Sequence, residues 1–423
     1  MLRPSDRLTS LSPATARALV QAGRSYGTPC YVTDLSEVDR RVREVRSAFP
    51  DPWICQYSLK ANPLPAIVAL LAERGLGANV VSSGEWASAR MAHVPNDRVT
   101  FEGIGKTDAE LRSAVEAAAA GEPLRWLTVE STDEARVLGE LARRAKLEPD
   151  SHPLPILLRL NPAVAPETHS GFRVGATASK FGMAAAELRR LVTANLETDT
   201  GVRVRGVHVH VGSQLNATAA WTAAAVKACR LVRELSRLDS GIDTVDIGGG
   251  FPSGESPAPS PADFREQLDA ALARARVGLP PHAAVEPGRY LVAAAGWLVA
   301  SVLHVRQRHG VPQVVIDASL AELIRPALYG VRHAVLPLVS SGGAGSHDPR
   351  PTLVEGAVCE STDSFGIHPL PSLVRGDLVV LEGTGAYAAS MFSHYNGRPR
   401  PPEVFLQPDG SLRLARPGQP FAP

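Results

Sequence analysis

The chain has 423 residues, and 44 lysine and arginine side chains stand against 43 acidic ones, so the formal net charge is +1. A charge so balanced argues against the strongly basic surface of a nucleic-acid-binding or membrane-surface protein. Hydrophobic residues make up 44% and charged residues 21%, which indicates a globular protein rather than a disordered one. Chemistry that requires a primary amine has five candidates: Lys60, Lys106, Lys146, Lys180 and Lys227.

The cysteines and the N-terminal segment indicate a compartment. The four cysteines, at positions 30, 55, 229 and 359, form no Cys-x-x-Cys pair, which argues against a disulfide framework or a zinc knuckle. The opening segment MLRPSDRLTS lacks the apolar region of a signal peptide. The longest apolar run, residues 291–305, is shorter than the roughly 20 residues of a membrane span. We therefore expect a soluble, cytoplasmic protein with no membrane or nucleic-acid partner.

Between residues 53 and 287, short β-rich runs alternate with helical segments. The β-rich runs are residues 53–60, 78–83, 98–103, 125–130, 155–162, 204–213, 244–250 and 283–288. The intervening segments, such as 66–75 and 221–238, carry the apolar period of an amphipathic helix. Eight repeats in about 235 residues predict a (β/α)8 TIM barrel. A doubly wound sheet is the alternative, but the even spacing favours closure.

After residue 300 the pattern changes to strands separated by glycine and proline turns. The predicted strands are 312–319, 353–361, 377–383, 403–410 and 411–416. The N-terminal segment 28–34 is also strand-like and could join them. This part of the chain predicts a separate β-domain.

Reactive side chains and glycines follow the predicted barrel strands, where the active site of such a barrel lies. Reading the strand ends in order gives Lys60, Ser83, Glu85, Gly103, Glu130, Arg159, Asn161, His210, Ser213, Gly248, Gly249, Gly250, Glu286 and Arg289. Lys60 could merely extend its ammonium group to solvent. At a barrel mouth, however, a lysine amine could act as the nucleophile that forms a Schiff base.

The strand ends around Lys60 suggest a phosphate and a flat ring as ligands. Gly248, Gly249 and Gly250 follow the seventh strand, the usual position of a phosphate cradle, and the hydroxyl of Ser213 could add to it. His208 and His210 lie two residues apart on one predicted strand and point to the same face, as in the His-x-His pairs of some metal sites. One of the two is expected to be a core histidine, and His210, nearer the strand end, is the better candidate to stack on a flat ring. We predict no metal, because no carboxylate–histidine cluster accompanies them at the rim.

Glu286 completes the predicted site. It could form an ion pair with Arg289, or its carboxylate could hold a proton on a pyridine nitrogen. A lysine amine, a phosphate cradle, an imidazole that stacks on a ring and a pyridinium partner together predict a pyridoxal 5'-phosphate (PLP) site.

The chain resembles a known family over roughly residues 57–401. The matching motifs are YSLKAN (57–62), VSSGE (81–85), SKFGM (179–183), HVHVGSQ (208–214), DIGGGFP (246–252), EPGRY (286–290), IRPALYG (324–330), CESTD (359–363) and GAYAASMFSHYNGRPRP (385–401). Together they resemble the fold-type III PLP-dependent decarboxylases, which have an alanine-racemase-like barrel, and within them the branch that acts on meso-diaminopimelate.

This resemblance implies a domain organisation, an assembly and a role for each matching residue. It implies a PLP-binding barrel at residues 36–290, a β-sandwich or β-barrel-like domain from residues 1–35 and 291–423, and a head-to-tail homodimer with shared active sites. The cofactor-binding residues would be Lys60, which carries PLP as a Schiff base, His210, Ser213, Gly248, Gly249, Gly250, Glu286 and Tyr387. The substrate-binding residues would be Arg289, Arg325, Tyr329 and Glu360. Cys359 would act as the catalytic acid and, with Glu360, reach the active site of the other subunit.

The implied reaction is decarboxylation of an amino acid, with meso-diaminopimelate converted to L-lysine and CO2. Departures from the family pattern, such as Ser58 before the lysine and FEGIGK at 101–106, leave the substrate open. The alternative is a decarboxylase of the same fold that acts on a related amino acid or carboxylated amine in siderophore or natural-product biosynthesis. A racemase is disfavoured, because racemases of this fold pair the pyridine nitrogen with arginine. A non-catalytic regulatory homologue is disfavoured by the presence of Lys60, Cys359 and Tyr387.

Overall fold

The structure is a computed structural model, and none of the helices that it describes is long and apolar enough to cross a membrane. It describes residues 11–148, 152–166, 168–169, 171, 174–175, 179–194, 200–254, 258–339 and 348–422. The chain divides into two compact units, Arg41–Tyr290 and Met1–Arg40 with Leu291–Pro423.

The strands are short and distributed over the whole chain. They are β1 (Cys30–Asp34), β2 (Ile54–Ser58), β3 (Gly77–Val80), β4 (Val99–Phe101), β5 (Trp126–Val129), β6 (Leu154–Arg159), β7 (Val202–His208), β8 (Thr244–Asp246), β9 (His282–Val285), β10 (Gly296–Arg308), β11 (Val311–Ile316), β12 (Val335–Val339), β13 (Arg350–Glu355), β14 (Ser364–Leu370), β15 (Leu378–Glu382), β16 (Glu403–Leu406) and β17 (Leu412–Arg416).

The helices lie mainly in the first two thirds of the chain. They are α1 (Pro13–Tyr26), α2 (Leu35–Ala48), α3 (Pro65–Glu73), α4 (Ser83–Met91), α5 (Asp108–Ala119), α6 (Thr132–Arg144), α7 (Ala185–Thr193), α8 (Ala219–Leu235), α9 (Pro261–Ala275), α10 (Arg289–Val292) and α11 (Arg325–Tyr329). The local sequence determines where several of these helices begin. Thr107 and Glu110 form a capping box at α5, and the side chain of Ser131 caps α6.

The larger unit is a closed barrel of eight parallel strands, β2 to β9 in sequence order, in which β9 pairs with β2. Each predicted β-rich run overlaps one of these strands, so the predicted TIM barrel is confirmed. The strands are shorter than the runs at their C-terminal ends. For example, the run 244–250 ends as a strand at Asp246, and Gly248 then adopts a φ of +72° that leaves extended geometry. The predicted runs therefore include rim residues that follow the last residue of each strand.

The second unit is built on a nine-stranded mixed sheet. Its main path runs β14-β13-β11-β10-β1-β16-β17, and β15, with β12 beside it, also pairs with β10. The N-terminal strand β1 lies inside this sheet, antiparallel to β10 and parallel to β16. The prediction that segment 28–34 joins the later strands is confirmed, as is the separate β-domain. The predicted strand 353–361 ends at Glu355, so the Cys-Glu-Ser segment lies in a loop.

Candidate active site

The barrel brings its polar side chains together where the strands end. Lys60 lies two residues after β2, in a single turn of 3-10 helix, and Glu102 directly follows β4. Arg159 and His208 are the last residues of β6 and β7, and Glu286 directly follows β9. Parallel strands in a closed barrel present these C-terminal ends at one rim.

The charge of Lys60 acts on the groups around it. Burial raises the pKa of Glu85, and the positive charge of Lys60 is among the effects that oppose this rise. Burial lowers the pKa of His210 well below its usual value, and Lys60 lowers it further. The Lys60 ammonium therefore lies within electrostatic range of Glu85 and His210. The structure thus brings the predicted nucleophile to the same rim as the predicted stacking residue.

Two of the three glycines, Gly248 and Gly249, lie close to His210. The Nδ1 atom of His210 accepts a hydrogen bond from the N–H of Gly249, at 3.1 Å. A Cβ atom on Gly248 would lie 2.5 Å from that same Nδ1, and one on Gly249 would lie 2.4 Å from the carbonyl oxygen of Glu286. The N–H of Gly248 donates to Asp246 Oδ1 at 2.9 Å, so two of the three N–H groups are used within the protein. The glycines thus allow the loop to pass close to the imidazole.

Ser213 and Arg289 form a pair that the sequence did not suggest. The Nε and Nη2 atoms of Arg289 donate to Ser213 Oγ at 3.2 and 3.3 Å, and Arg289 is buried. The family resemblance implies a substrate-binding role for Arg289, whereas the structure places its guanidinium on the hydroxyl predicted to bind phosphate. A hydroxyl and a guanidinium side by side form a typical anion site.

Glu102, His208 and Glu286 form a buried cluster at the C-terminal ends of β4, β7 and β9. His208 Nε2 lies 3.2 Å from Glu102 Oε1 and 3.4 Å from Glu286 Oε1. Burial, followed by the charge of Glu102 and a hydrogen bond with it, raises the pKa of Glu286 well above its usual value. The prediction that the site holds no metal depends on the absence of a carboxylate–histidine cluster at the rim. That reason was wrong, because one atom from each of these three residues lies within 4.8 Å of the other two.

A second buried pair lies at the C-terminal ends of β5 and β6. Arg159 and Glu130 form an ion pair, and the Arg159 guanidinium lies 4.7 Å from the centre of the Phe181 ring. The other oxygen of Glu130 accepts from the N–H of Gly182 at 3.0 Å. This links the SKFGM motif to the strand ends. The pair orders the rim without using Lys60.

The remaining predicted site residues belong to the second unit. Arg325 begins α11 and is buried, with Nη1 3.2 Å from His333 Nε2, and Tyr329 ends the same helix. Cys359 and Glu360 are exposed, and Glu360 accepts a hydrogen bond from the hydroxyl of Tyr395. Tyr387 has a φ of +56°, in the left-handed region.

Comparisons with known proteins identify the family. The family model described as "Pyridoxal-dependent decarboxylase, pyridoxal binding domain" matches residues 35–293. The diaminopimelate decarboxylase of Aquifex aeolicus (strain VF5) is 32% identical over 403 residues, which is 94% of this chain and 91% of that protein. The diaminopimelate decarboxylase of Actinosynnema pretiosum subsp. auranticum is 35% identical over 400 residues, or 92% of this chain and 86% of that protein.

Solved structures agree with the sequence comparisons. The crystal structure of diaminopimelate decarboxylase from Helicobacter pylori, complexed with L-lysine, superposes with a TM-score of 0.84 at 29% identity. The match covers 95% of this chain and 97% of that one. This chain belongs to the pyridoxal-dependent decarboxylases, a class of PLP-dependent carboxy-lyases. Within that class, its similarity to diaminopimelate decarboxylases extends over more than nine tenths of its length.

The rim fits the pyridoxal group that this family implies. Glu286 Oε1 is buried and accepts no hydrogen bond in the described part of the chain, as expected of an oxygen that binds a group from outside the chain. His210 is held neutral by burial, which suits an aromatic ring, and Ser213 with Arg289 suits a phosphate. Lys60 supplies the primary amine. The residues that sequence reasoning missed are Glu102 and the contact of Arg289 with Ser213.

Proposed function

We propose that this chain decarboxylates meso-diaminopimelate to L-lysine and CO2 at the rim of its barrel. The observation that carries the proposal is the convergence of Lys60, His210, Glu286 and the Ser213–Arg289 pair at the ends of different strands. The relatives named diaminopimelate decarboxylase, which match over more than nine tenths of this chain, support the choice of substrate.

PLP supplies an electron sink that accepts the electron pair left on the substrate carbon when CO2 departs. Lys60 lies two residues after β2, closer to the end of a barrel strand than the other lysines of the described residues, and its amine would bind the cofactor aldehyde. The imidazole of His210 presents a flat, neutral face to the ring. The carboxyl group of Glu286 would hold a proton at the ring nitrogen.

We assign the phosphate to the Ser213 hydroxyl and the glycine loop, Gly248 to Gly250. Because Arg289 donates twice to Ser213, its guanidinium adds a positive charge at this end of the site. We therefore propose that Arg289 binds the cofactor phosphate as well as, or in place of, the substrate. The barrel domain at residues 36–290 would hold these groups.

We also propose the remaining roles that the family resemblance implies. Arg325 and Tyr329 would bind the distal carboxylate of the substrate, where the planar guanidinium suits a bidentate contact. Tyr387 would contact the cofactor. The thiol of Cys359 would give a proton to the substrate carbon after CO2 leaves, with Glu360 beside it.

The proposed assembly is a head-to-tail homodimer in which Cys359 and Glu360 serve the active site of a second copy. Their exposure on the loop after β13 supports this, because such side chains are accessible to another chain. A cytoplasmic location is also proposed. All four cysteines are free thiols, three of them buried, which suits a reducing compartment.

The test is a CO2-release assay with the PLP-loaded protein on meso-diaminopimelate, L-lysine, L-ornithine and related carboxylated amines. We expect the highest kcat/KM with meso-diaminopimelate, and growth of a lysine auxotroph that lacks its own decarboxylase. A preference for another amine with failure to restore growth would assign the chain to natural-product or siderophore biosynthesis. Absence of decarboxylation with every substrate, by a protein that binds PLP, would overturn the proposal.

A further inference from the structure

Three strands deliver acid–base groups to one buried point of the barrel. Glu102 follows β4, His208 ends β7 and Glu286 follows β9, and all three side chains are at most 5% exposed. Both carboxylates approach the same atom, His208 Nε2, at 3.2 and 3.4 Å. Glu102 itself matches none of the motifs that carry the family resemblance, so no role is assigned to it by that resemblance.

Two carboxylates buried this closely do not both ionise freely. Like charges in a poorly solvated site raise the pKa of at least one partner, and the pair titrates as a unit. Burial and the charge of Glu102 raise the pKa of Glu286, so Glu286 is the member that holds the proton. Burial lowers the pKa of His208, although the charge of Glu102 opposes this, which leaves a neutral imidazole whose Nε2 lies 3.2 and 3.4 Å from the two carboxyl groups.

Burial opposes the ionisation of Glu102, but His208, a hydrogen bond with Glu286, Arg159 and Lys60 lower its pKa, so Glu102 is the member that carries the charge. Within the described residues, His208 is the one basic side chain whose nitrogen lies within 4.0 Å of its carboxylate. The other titratable and charged groups that face the cluster are Lys60 after β2, Glu130 after β5, Arg159 on β6, His210 after β7 and Asp246 on β8. Burying one carboxylate beside another lowers the stability of the folded protein. A function for the shared proton would explain why the site keeps both groups.

We propose that Glu102 is a positioning residue that acts through Glu286. Its charge, with His208 Nε2 close to both carboxyl groups, keeps a proton at the Glu286 carboxyl, where the pyridine nitrogen of PLP is to be held protonated. This inference rests on the proposed function, since it takes Glu286 as the partner of that nitrogen. The physical consequence is a more basic Glu286. A more basic carboxylate forms a stronger charge-assisted hydrogen bond with a pyridinium N–H and so raises the pKa of that nitrogen.

The variant that tests the charge is Glu102→Gln, which keeps the size and hydrogen-bonding capacity of the side chain. Its matched control is Thr100→Val on β4, two residues earlier. Thr100 is fully buried, and its hydroxyl has no hydrogen-bond partner in the described part of the chain. The control perturbs the same strand without changing a charge. Holoenzymes are prepared in cells fed pyridoxine labelled with 15N in the ring, and the 15N chemical shift is followed against pH.

We expect the ring nitrogen of Glu102→Gln to lose its proton about one pH unit lower than in the parent protein. The value of kcat should fall about tenfold at neutral pH, with KM nearly unchanged, because substrate contacts are untouched. Thr100→Val should retain the parent 15N titration. An unchanged 15N titration in Glu102→Gln would overturn the proposal, whatever its activity.

Two further measurements separate this inference from its alternatives. Glu286→Gln should shift the 15N resonance to that of a neutral pyridine. If it leaves the resonance unchanged while PLP stays bound, the assignment of Glu286, and with it this inference, fails. If instead no PLP is bound by the parent protein, the proposed function itself fails. A stoichiometric divalent metal in the parent holoenzyme, lost in Glu102→Gln, would replace the shared proton with an ion and overturn the inference.

Discussion

His210 and Gly249 are joined by a hydrogen bond in which the backbone N–H donates to Nδ1 across 3.1 Å. An Nδ1 that accepts leaves the ring proton on Nε2, and burial together with the charge of Lys60 lowers the pKa of the imidazole. The loop therefore fixes both the orientation and the neutral state of the ring. The contact depends on a glycine, because a Cβ on Gly249 would lie 2.4 Å from the carbonyl oxygen of Glu286.

His210 should stay neutral at pH values where an ordinary histidine is half protonated. Because the pKa is lowered from 6.5, protonation should begin only well below that pH. We expect the 15N resonances of His210 to remain constant from about pH 8 to about pH 6. His210→Phe should retain more PLP affinity than His210→Ala, since it keeps a flat ring. Titration of His210 near pH 6.5 would contradict the assignment.

Replacing Lys60 with arginine should abolish covalent attachment of PLP, because the variant keeps the positive charge and loses the primary amine. Lys146→Arg is the matched control, since Lys146 is exposed and follows α6. After borohydride reduction, mass spectrometry of the peptides should find PLP at residue 60 in the parent and in the control. Label on any other lysine in the parent would refute the assignment of Lys60.

Gly250 and Gly254 allow crowding to be separated from backbone strain. Their φ values are nearly equal, +108° and +106°, but a Cβ on Gly250 would lie 2.7 Å from Leu215 Cδ1, whereas one on Gly254 would have no neighbour within 4 Å. Both alanine variants carry the strain of an unfavourable φ. We expect Gly250→Ala to weaken PLP binding at least about tenfold more than Gly254→Ala, by equilibrium titration. Equal losses would mean that the loop tolerates a side chain at Gly250.

The proposed dimer can be tested by mixing two inactive variants. Lys60→Arg disables the cofactor attachment of its own barrel, and Cys359→Ser disables the acid given to a second copy. If sites are shared, subunit exchange creates dimers with one intact site, and activity should return to about a quarter of the parent value. Absence of recovery after demonstrated exchange would mean that Cys359 serves its own chain. Parent protein mixed with itself controls for losses during exchange.

The barrel could be predicted from the sequence because each inner strand is a short apolar run with a helix after it. The reactive side chains near the strand ends could be predicted for the same reason, because each of them follows such a run. The strand boundaries were less certain. The run 98–103 places Gly103 at the rim, whereas β4 stops at Phe101 and it is Glu102 that enters the site. A carboxylate directly after a three-residue apolar strand was the available signal.

Other contacts could not be predicted, because they join residues far apart in the chain. Arg289 and Ser213 are separated by 76 positions, and only the closed barrel brings their side chains together. His208 was interpreted as a core histidine or a metal ligand, since its carboxylate partners lie on β4 and β9 strand ends. Contacts of this kind depend on the register in which the barrel strands pair. That register is known only from the folded structure.

The position of β1 has a consequence for the order in which the protein can fold. During synthesis β1 is made early, but its neighbours β10 and β16 begin at Gly296 and Glu403. At usual translation rates, β16 follows β1 by tens of seconds. All eight barrel strands are made within that interval. The barrel can therefore close on the ribosome while β1 waits for both of its neighbours, so the sheet of the second unit is completed only when nearly the whole chain has been made.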